Sequence, residues 1–337
     1  MPIGEVCLVT QRRRDMAKKG WIKKDSELQG FAERNERIAN KGAYKNLMLQ
    51  VNKAARHAKG SSLTSQRQYY HHMDQFVRFT ADRFALKNLA NLSGKHLAAY
   101  IEDRQQTGKS ASSIKLDLVA VRYFHDHLSK TRHDLPDNQK LKDHYGLSLE
   151  RRMFGRVNRR WTDSEYKKMV NLTYRLQHPE TGHILQLCRE QGLRIHEAVR
   201  LSRKDAEMAF KTNSLRIKGK GGLVRKVPLE PSVRSILHTC MRGVARDHKL
   251  FVRDEQKAHQ VIQATQDFIH NHRDKVADPV ARAPGVQLTV HGLRHSYAYE
   301  QYQNLIEQGM DPKTARYRVS ELIGHSREDV TKIYLTE

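Results

Sequence analysis

Four short stretches of this sequence carry side chains suited to one kind of chemistry. QGLRIHEAVRLSRKD holds Arg194 with Glu197 three residues on, and VHGLRHSYA holds His291 and Arg294. LIGHSREDVTKIY holds His325 and Tyr334, and IKGKGGLVRKVPL sets Lys218, Lys220 and Lys226 about a glycine-rich turn. Displacement at a phosphodiester passes through a five-coordinate phosphorus with extra charge on the nonbridging oxygens. Positioned cations and donors stabilise that charge more in the transition state than in the ground state. Arginine suits the task because its planar fork gives two hydrogen bonds to phosphate oxygens and stays charged. Two of them, Arg194 and Arg294, can clamp one phosphate from two sides. His291 and His325 add donors, and His291 is also an acceptor for a phenol proton. A tyrosine ionises only near pH ~10, so Tyr334 needs a base or nearby cations to become a nucleophile. Singly, each fragment is weak. GLR at a helix start ordinarily means a capped helix, and an HxxR pair a turn of surface helix.

The charge of the whole chain narrows the partner. Lysine and arginine total 61 against 37 acidic residues, a formal charge of +24. Self-repulsion of that size calls for a polyanion, and nucleic acid answers it because each neutralised phosphate releases condensed counterions. A membrane surface is the rival, but no basic amphipathic helix with bulky aromatics stands out, and no apolar run is long enough to cross a bilayer. The opening residues carry no cleavable signal pattern. Cys7, Cys188 and Cys240 are widely separated and form no CxxC pair, so neither a zinc knuckle nor a disulfide framework is expected. A reducing cytoplasm is the simplest setting.

Together and in this order, the four stretches resemble the tyrosine recombinase (phage integrase) family, whose motifs run Arg, Lys, HxxR, His or Trp, Tyr. The resemblance covers about residues 160–334 and puts the first arginine at Arg194, supported by Glu197. It puts the hairpin lysine at Lys220, because GKG followed by RKVPL matches the family's hairpin, and so favours Lys220 over Lys218 and Lys226. The HxxR pair falls on His291 and Arg294, the second histidine on His325, and the nucleophile on Tyr334. It implies that Lys220 is the acid for the departing 5′-hydroxyl and that the product is a 3′-phosphotyrosine, which a 5′-hydroxyl from another strand can attack without ATP. Tyr297, Tyr299 and Tyr302 are read as packing residues, and Tyr317 lacks the GH nine residues upstream. Two departures stand out. The span from Arg294 to His325 is longer than in compact Xer-type members, and it is read as holding an extra turn or loop. Only Leu335, Thr336 and Glu337 follow the tyrosine, so coupling between subunits is expected to use residues 1–58 or the helix carrying Tyr334.

The elements that must position these residues follow from periodicity. Residues 1–60 read as a basic N-terminal extension, either a DNA-gripping arm or a solvated segment, with a helical pattern from Ala43 to Ala58. Residues 61–150 read as a helical core-binding (SAM-like) domain: one helix capped by Ser65, a second over SGKHLAAYIEDRQQ closed by Gly108, and a third with Ile114, Leu118, Val121 and Leu128 on one stripe. Residues 133–161 break the periodicity and are read as the connection, with 151–161 as the linker proper. Its arginines (Arg151, Arg152, Arg156, Arg159 and Arg160) can track a phosphate backbone. Residues 162–337 read as a catalytic domain of helices interrupted by one β-hairpin around KGKGG.

The fold expected is mainly α with a small antiparallel β-sheet, in two domains closing as a C-shaped clamp on DNA. The function expected is site-specific recombination for integration or excision of a mobile element, in the mobile-element integrase branch. The partners are double-stranded DNA, three further copies in a tetramer on paired sites, and an accessory DNA-bending or directionality factor. No cofactor and no metal are expected, and the setting is the bacterial cytoplasm on the nucleoid. A type IB topoisomerase and a non-catalytic DNA-binding accessory protein are the alternatives.

Overall fold

The computed structural model describes residues 20–149, 157–219, 222–324, 331–332 and 334–335. The chain divides into two compact units, Met1–Arg152 and Met153–Glu337.

The first unit is helical. Its order is α1 (Asp25–Arg34), α2 (Lys41–His57), α3 (Leu63–Phe84), a short 3-10 turn (Leu89–Asn91), α4 (Gly94–Gln106), α5 (Ala111–His125) and α6 (Asn138–Tyr145). Helices α2 and α5 both pack on α3, and one core joins Leu47 and Val51, Met73 and Phe76, and Leu118 and Val121. The aromatics of this unit are core residues: Tyr70, Phe76, Tyr100 and Phe124 are all buried. Helix α3 begins one turn earlier than its pattern predicts, with Ser62 and not Ser65 as the cap, its hydroxyl accepting from the Ser65 N–H. Such a cap contributes about 1 kcal/mol.

Two stretches behave differently from their sequence reading. Residues 25–57 are built into the same core as the helices that follow, with Leu28, Tyr44, Leu47 and Met48 buried, so the core starts well before residue 61. The stretch from residue 133 contains a helix, α6, capped by Asp137 and closed by Gly146 in the left-handed region. Its one buried residue is Leu141, which gives no repeat for periodicity to detect.

The second unit runs α7 (Asp163–Arg175), α8 (Pro179–Glu190), α9 (Ile195–Arg200), α10 (Arg203–Thr212), β1 (Ser214–Lys218), β2 (Val224–Pro228), α11 (Pro231–Cys240), α12 (Ala258–Val276), α13 (Val290–Glu307) and α14 (Pro312–Leu322). The two strands pair antiparallel, with Leu215 opposite Val227 and Ile217 opposite Arg225. Alternation turns Leu215, Ile217 and Val227 into the core. Helix α8 lies at the centre, packed on α7, α9, α11 and α13. The long span after Arg294 is the rest of α13 and the whole of α14, joined by a turn at Gln308–Asp311. No described helix is long and apolar enough to cross a membrane.

Candidate active site

Three segment ends meet in the second unit. The first is the turn into α9. Gly192 has φ +61, and a Cβ there would come within 2.2 Å of the Tyr297 ring, so the turn needs a residue without a side chain on both counts. Arg194 then caps α9, and Glu197 reaches back to accept its N–H at 2.8 Å. The second is the start of α13, capped by the Thr289 hydroxyl. Gly292 in its first turn lets the chain before α7 approach: an added Cβ would lie 2.5 Å from the Arg159 carbonyl and 2.8 Å from the Trp161 ring. Trp161 locks this contact, its backbone N–H donating to Ser296 Oγ and its indole N–H to the Thr289 carbonyl. The third is the end of α14, where Ile323 turns toward α13.

Glu197 is the electrostatic centre of the site. Its side chain is fully buried and meets three guanidinium groups. Arg194 Nη1 donates to Oε1 at 3.0 Å, Arg225 donates to both oxygens at 2.9 and 2.7 Å, and Arg294 Nη1 lies 3.8 Å from Oε2. Burial alone would raise its pKa, but the paired Arg225, the Arg194 N–H and the Arg294 charge hold it down at about 2. Two positive charges remain in excess. Arg294 is itself fully buried. It donates to the carbonyls of Gly192 and Ile323, which ties all three segment ends to one side chain, and its Nε has no partner among the described residues. Burial and the neighbouring Arg194 bring its pKa to about 10, still charged at neutrality. Arg194 keeps 24% of its side chain exposed, so its fork is open to a ligand.

Tyr334 is 4% exposed and packs with Tyr297, Ala298, Val319 and Ile323. Its hydroxyl lies 3.4 Å from His291 Nε2, and the Arg294 guanidinium carbon is 6.0 Å from its ring centre. His295 lies against the same ring at 4.3 Å and 32°. Burial first, then the charges of Arg294, Arg194 and Arg159, push His291 down to about 4, and His295 is pushed to about 3 by burial, His291 and Arg159. Both rings are neutral at physiological pH, as an acceptor must be.

Of the residues singled out in the sequence, the fold brings Arg194, Glu197, His291, Arg294 and Tyr334 together. Lys220 and His325 lie outside the described residues. Lys218 and Lys226 are outward-facing on the hairpin, Tyr297 is buried, Tyr302 is half-buried, Tyr299 stacks under Arg160 at 3.5 Å, and Tyr317 is exposed. Two site residues escaped sequence reasoning. Arg225 had a signal, since in VRKVP it shares the inward face with Val227, and a charge on a buried strand face needs a partner. His295 had none beyond its place next to Arg294.

A cavity of about 460 Å³ opens beside Arg194, His291 and Arg294, bounded across from them by Gln266, His270 and Arg273 of α12. Among the described residues no cluster of His, Cys, Asp or Glu could hold a metal ion. The arrangement sets two guanidinium groups and a neutral imidazole on this cavity, with the Tyr334 hydroxyl within reach of that imidazole.

The chain is similar to known proteins over both of its units. The profile described as "Phage integrase family" matches residues 159–337, and the one described as "Phage integrase, N-terminal SAM-like domain" matches residues 54–131. The chain is similar to tyrosine recombinase XerC of Agrobacterium fabrum, 27% identical over 277 residues, covering 77% of this chain and 79% of that one. It is similar to tyrosine recombinase XerA of Pyrococcus furiosus at 25% identity, covering 82% and 84%. Among solved structures, the Tn1549 transposon integrase in complex with transposon right end DNA superposes with a TM-score of 0.57 at 14% identity, covering 86% of this chain and 94% of that one. A lambda integrase tetramer bound to a Holliday junction gives 0.57 at 15% identity, covering 86% and 76%.

Proposed function

This chain belongs to the phage integrase family, and on that footing we propose that it is a site-specific DNA recombinase that cuts and rejoins strands through a covalent link to Tyr334. The observation that carries this reading is the convergence of Tyr334 with His291 on one side and the Arg194–Glu197–Arg294 cluster on the other.

The geometry supports the roles of Arg194, Glu197, His291 and Arg294, and the family resemblance supports those of Lys220 and His325. Arg194 and Arg294 receive the nonbridging oxygens of the scissile phosphate and stabilise the charge that builds there. Glu197 orients the Arg194 fork. His291 takes the proton of the Tyr334 hydroxyl as its oxygen attacks phosphorus. The bond from phosphorus to the 5′-oxygen breaks, and Lys220 supplies that oxygen with a proton. His325 is read as a further donor to the phosphate, and His295 holds the plane of the Tyr334 ring. A bound phosphate also offsets the Arg194 and Arg294 charges that depress His291, which makes the imidazole a stronger base once DNA is in place. The reverse attack by a 5′-hydroxyl from a second strand completes exchange. No cofactor or metal enters this sequence.

The substrate is double-stranded DNA, consistent with an excess of 24 positive charges. The assembly we propose is four copies on two paired sites, serving integration or excision of a mobile element in the bacterial cytoplasm, with an accessory DNA-bending or directionality factor as a further partner. A nicked suicide substrate tests the chemistry. The wild-type chain should trap a 3′-linked covalent complex, and Tyr334→Phe should trap none. A covalent complex surviving in Tyr334→Phe would transfer the nucleophile's role to another residue.

A further inference from the structure

We propose that Arg225 is a positioning residue for the leaving-group step, fixing the β-hairpin against the phosphate clamp so that its turn delivers a proton to the departing 5′-oxygen. The inference rests on the reading of Lys220 as the acid on that turn.

Arg225 makes contacts that no other described side chain of the hairpin makes. Its Nη1 and Nη2 donate to the two oxygens of Glu197 at 2.9 and 2.7 Å, while its Nε donates to the Leu322 carbonyl at 2.9 Å. One guanidinium thus joins β2 to the start of α9 and to the end of α14. These are the segments that lead into Arg194 on one side and toward Gly324 and His325 on the other. The joint is tight, since a Cβ on Gly324 would lie 2.9 Å from Arg225 Cδ.

Its place along the hairpin matters as much. Arg225 pairs with Ile217, and toward the turn Val224, the first residue of β2, and Leu223 before it are exposed. Arg225 is therefore the last inward anchor of β2 before the turn. The turn itself begins against the same carboxylate: the Gly219 N–H donates to the Leu223 carbonyl at 2.7 Å, and a Cβ at Gly219 would sit 3.7 Å from Glu197 Oε1. Glu197 is thus shared between the clamp, through Arg194, and the hairpin, through Arg225. An apolar residue on the strand would hold the sheet in the core but would not register the turn to the clamp. A bidentate arginine–carboxylate pair does, because its two parallel bonds fix direction as well as distance.

Bridging-sulfur chemistry separates this role from a structural one. In a substrate with sulfur in place of the 5′-oxygen, the phosphorus–sulfur bond breaks to a thiolate, a leaving group that needs no proton. Arg225→Met should slow cleavage of the ordinary phosphodiester by about 10²-fold, the scale of a general-acid contribution, with DNA affinity unchanged. On the bridging phosphorothiolate that loss should vanish. Arg225→Lys keeps the charge but not the fork, so it should lose less, with the same recovery, and it answers the question if the methionine variant fails to fold. If either folded variant is as slow on the sulfur substrate as on the oxygen one, Arg225 serves the phosphate clamp or the fold and the inference is wrong. Lys220→Ala on the same pair reports separately on the acid. Recovery of Lys220→Ala without recovery of the Arg225 variants would overturn the inference alone. Recovery of the Arg225 variants alone would keep the hairpin as the proton's source and remove Lys220 from the role.

Discussion

In the first unit the buried charges are carboxylates, Asp74 and Asp117, and the cations that answer them lie toward solvent. Asp117 accepts from Tyr100 Oη at 3.0 Å and Arg104 Nε at 3.3 Å and meets His72 Nδ1 at 2.6 Å. Asp74 accepts from Tyr44 Oη at 2.5 Å and from Arg78, with Lys23 3.7 Å away. In the second unit a cation is buried as deeply as its carboxylate, since neither Arg294 nor Glu197 exposes any side chain. Taking an arginine out of water costs several kcal/mol unless every partner is in place. Arg294 nevertheless has an unpaired Nε among the described residues and a second arginine beside it. A network built for stability alone would resemble the first unit. The second unit accepts a cost that a phosphate can offset, and this difference separates a scaffold from a site.

Removing the buried cation sets the upper end of the comparison. Arg294→Ala should slow single-turnover cleavage by about 10²–10³-fold, the loss expected for one transition-state donor. Arg294→Lys should restore little, because an ammonium has no fork. Near-wild-type cleavage in either variant would make Arg294 a structural residue like those of the first unit. Next comes the scaffold: Asp117→Ala should lower the unfolding free energy by about 1–3 kcal/mol as its donors lose their acceptor. Cleavage per folded molecule should be unchanged, as read from denaturant melts beside active-site titration. A specific loss of cleavage there would blur the distinction.

The smallest effect is a displacement along the pH axis. The folded His291 pKa of about 4 is below the ordinary 6.5, so the free enzyme keeps its base unprotonated until the pH falls well below the usual histidine range. The acid limb of kcat/KM should accordingly lie below 6.5. The limb of kcat should lie higher, because bound phosphate offsets the two arginines. Arg159→Gln removes one depressing charge and should move the kcat/KM limb upward. The same sign argument applied to Glu197, lowered from 4.5 to about 2, gives stability that is present above pH 4.5 and lost as the pH falls toward 2. A kcat/KM limb at or above 6.5 would remove His291 from the role of base.

Much of this molecule could be read along the chain. The helix stripe of Ile114, Leu118 and Val121 and the strands on either side of KGKGG are local patterns, and the fold keeps them. What periodicity missed were elements with little apolar surface of their own. Helix α1 buries only Leu28 and Ala32, and α6 only Leu141. In both, polar residues outnumber the contacts that anchor the helix, so neighbouring helices decide their place.

The sequence by itself determined the chemical inventory. The order Arg194, His291, Arg294, Tyr334 pointed to phosphate chemistry, because each residue's reactivity is a property of its own atoms. The tertiary structure decided how that inventory is wired. Arg225 reaches Glu197 across 28 residues and His291 meets Tyr334 across 43, and His295 lies under the Tyr334 ring. A local pattern reports which face of an element is buried, but not which distant segment will cover it. That choice, and with it the lowered pKa of Glu197, His291, Arg294 and His295, is made only when α9, α13, α14 and the hairpin pack together.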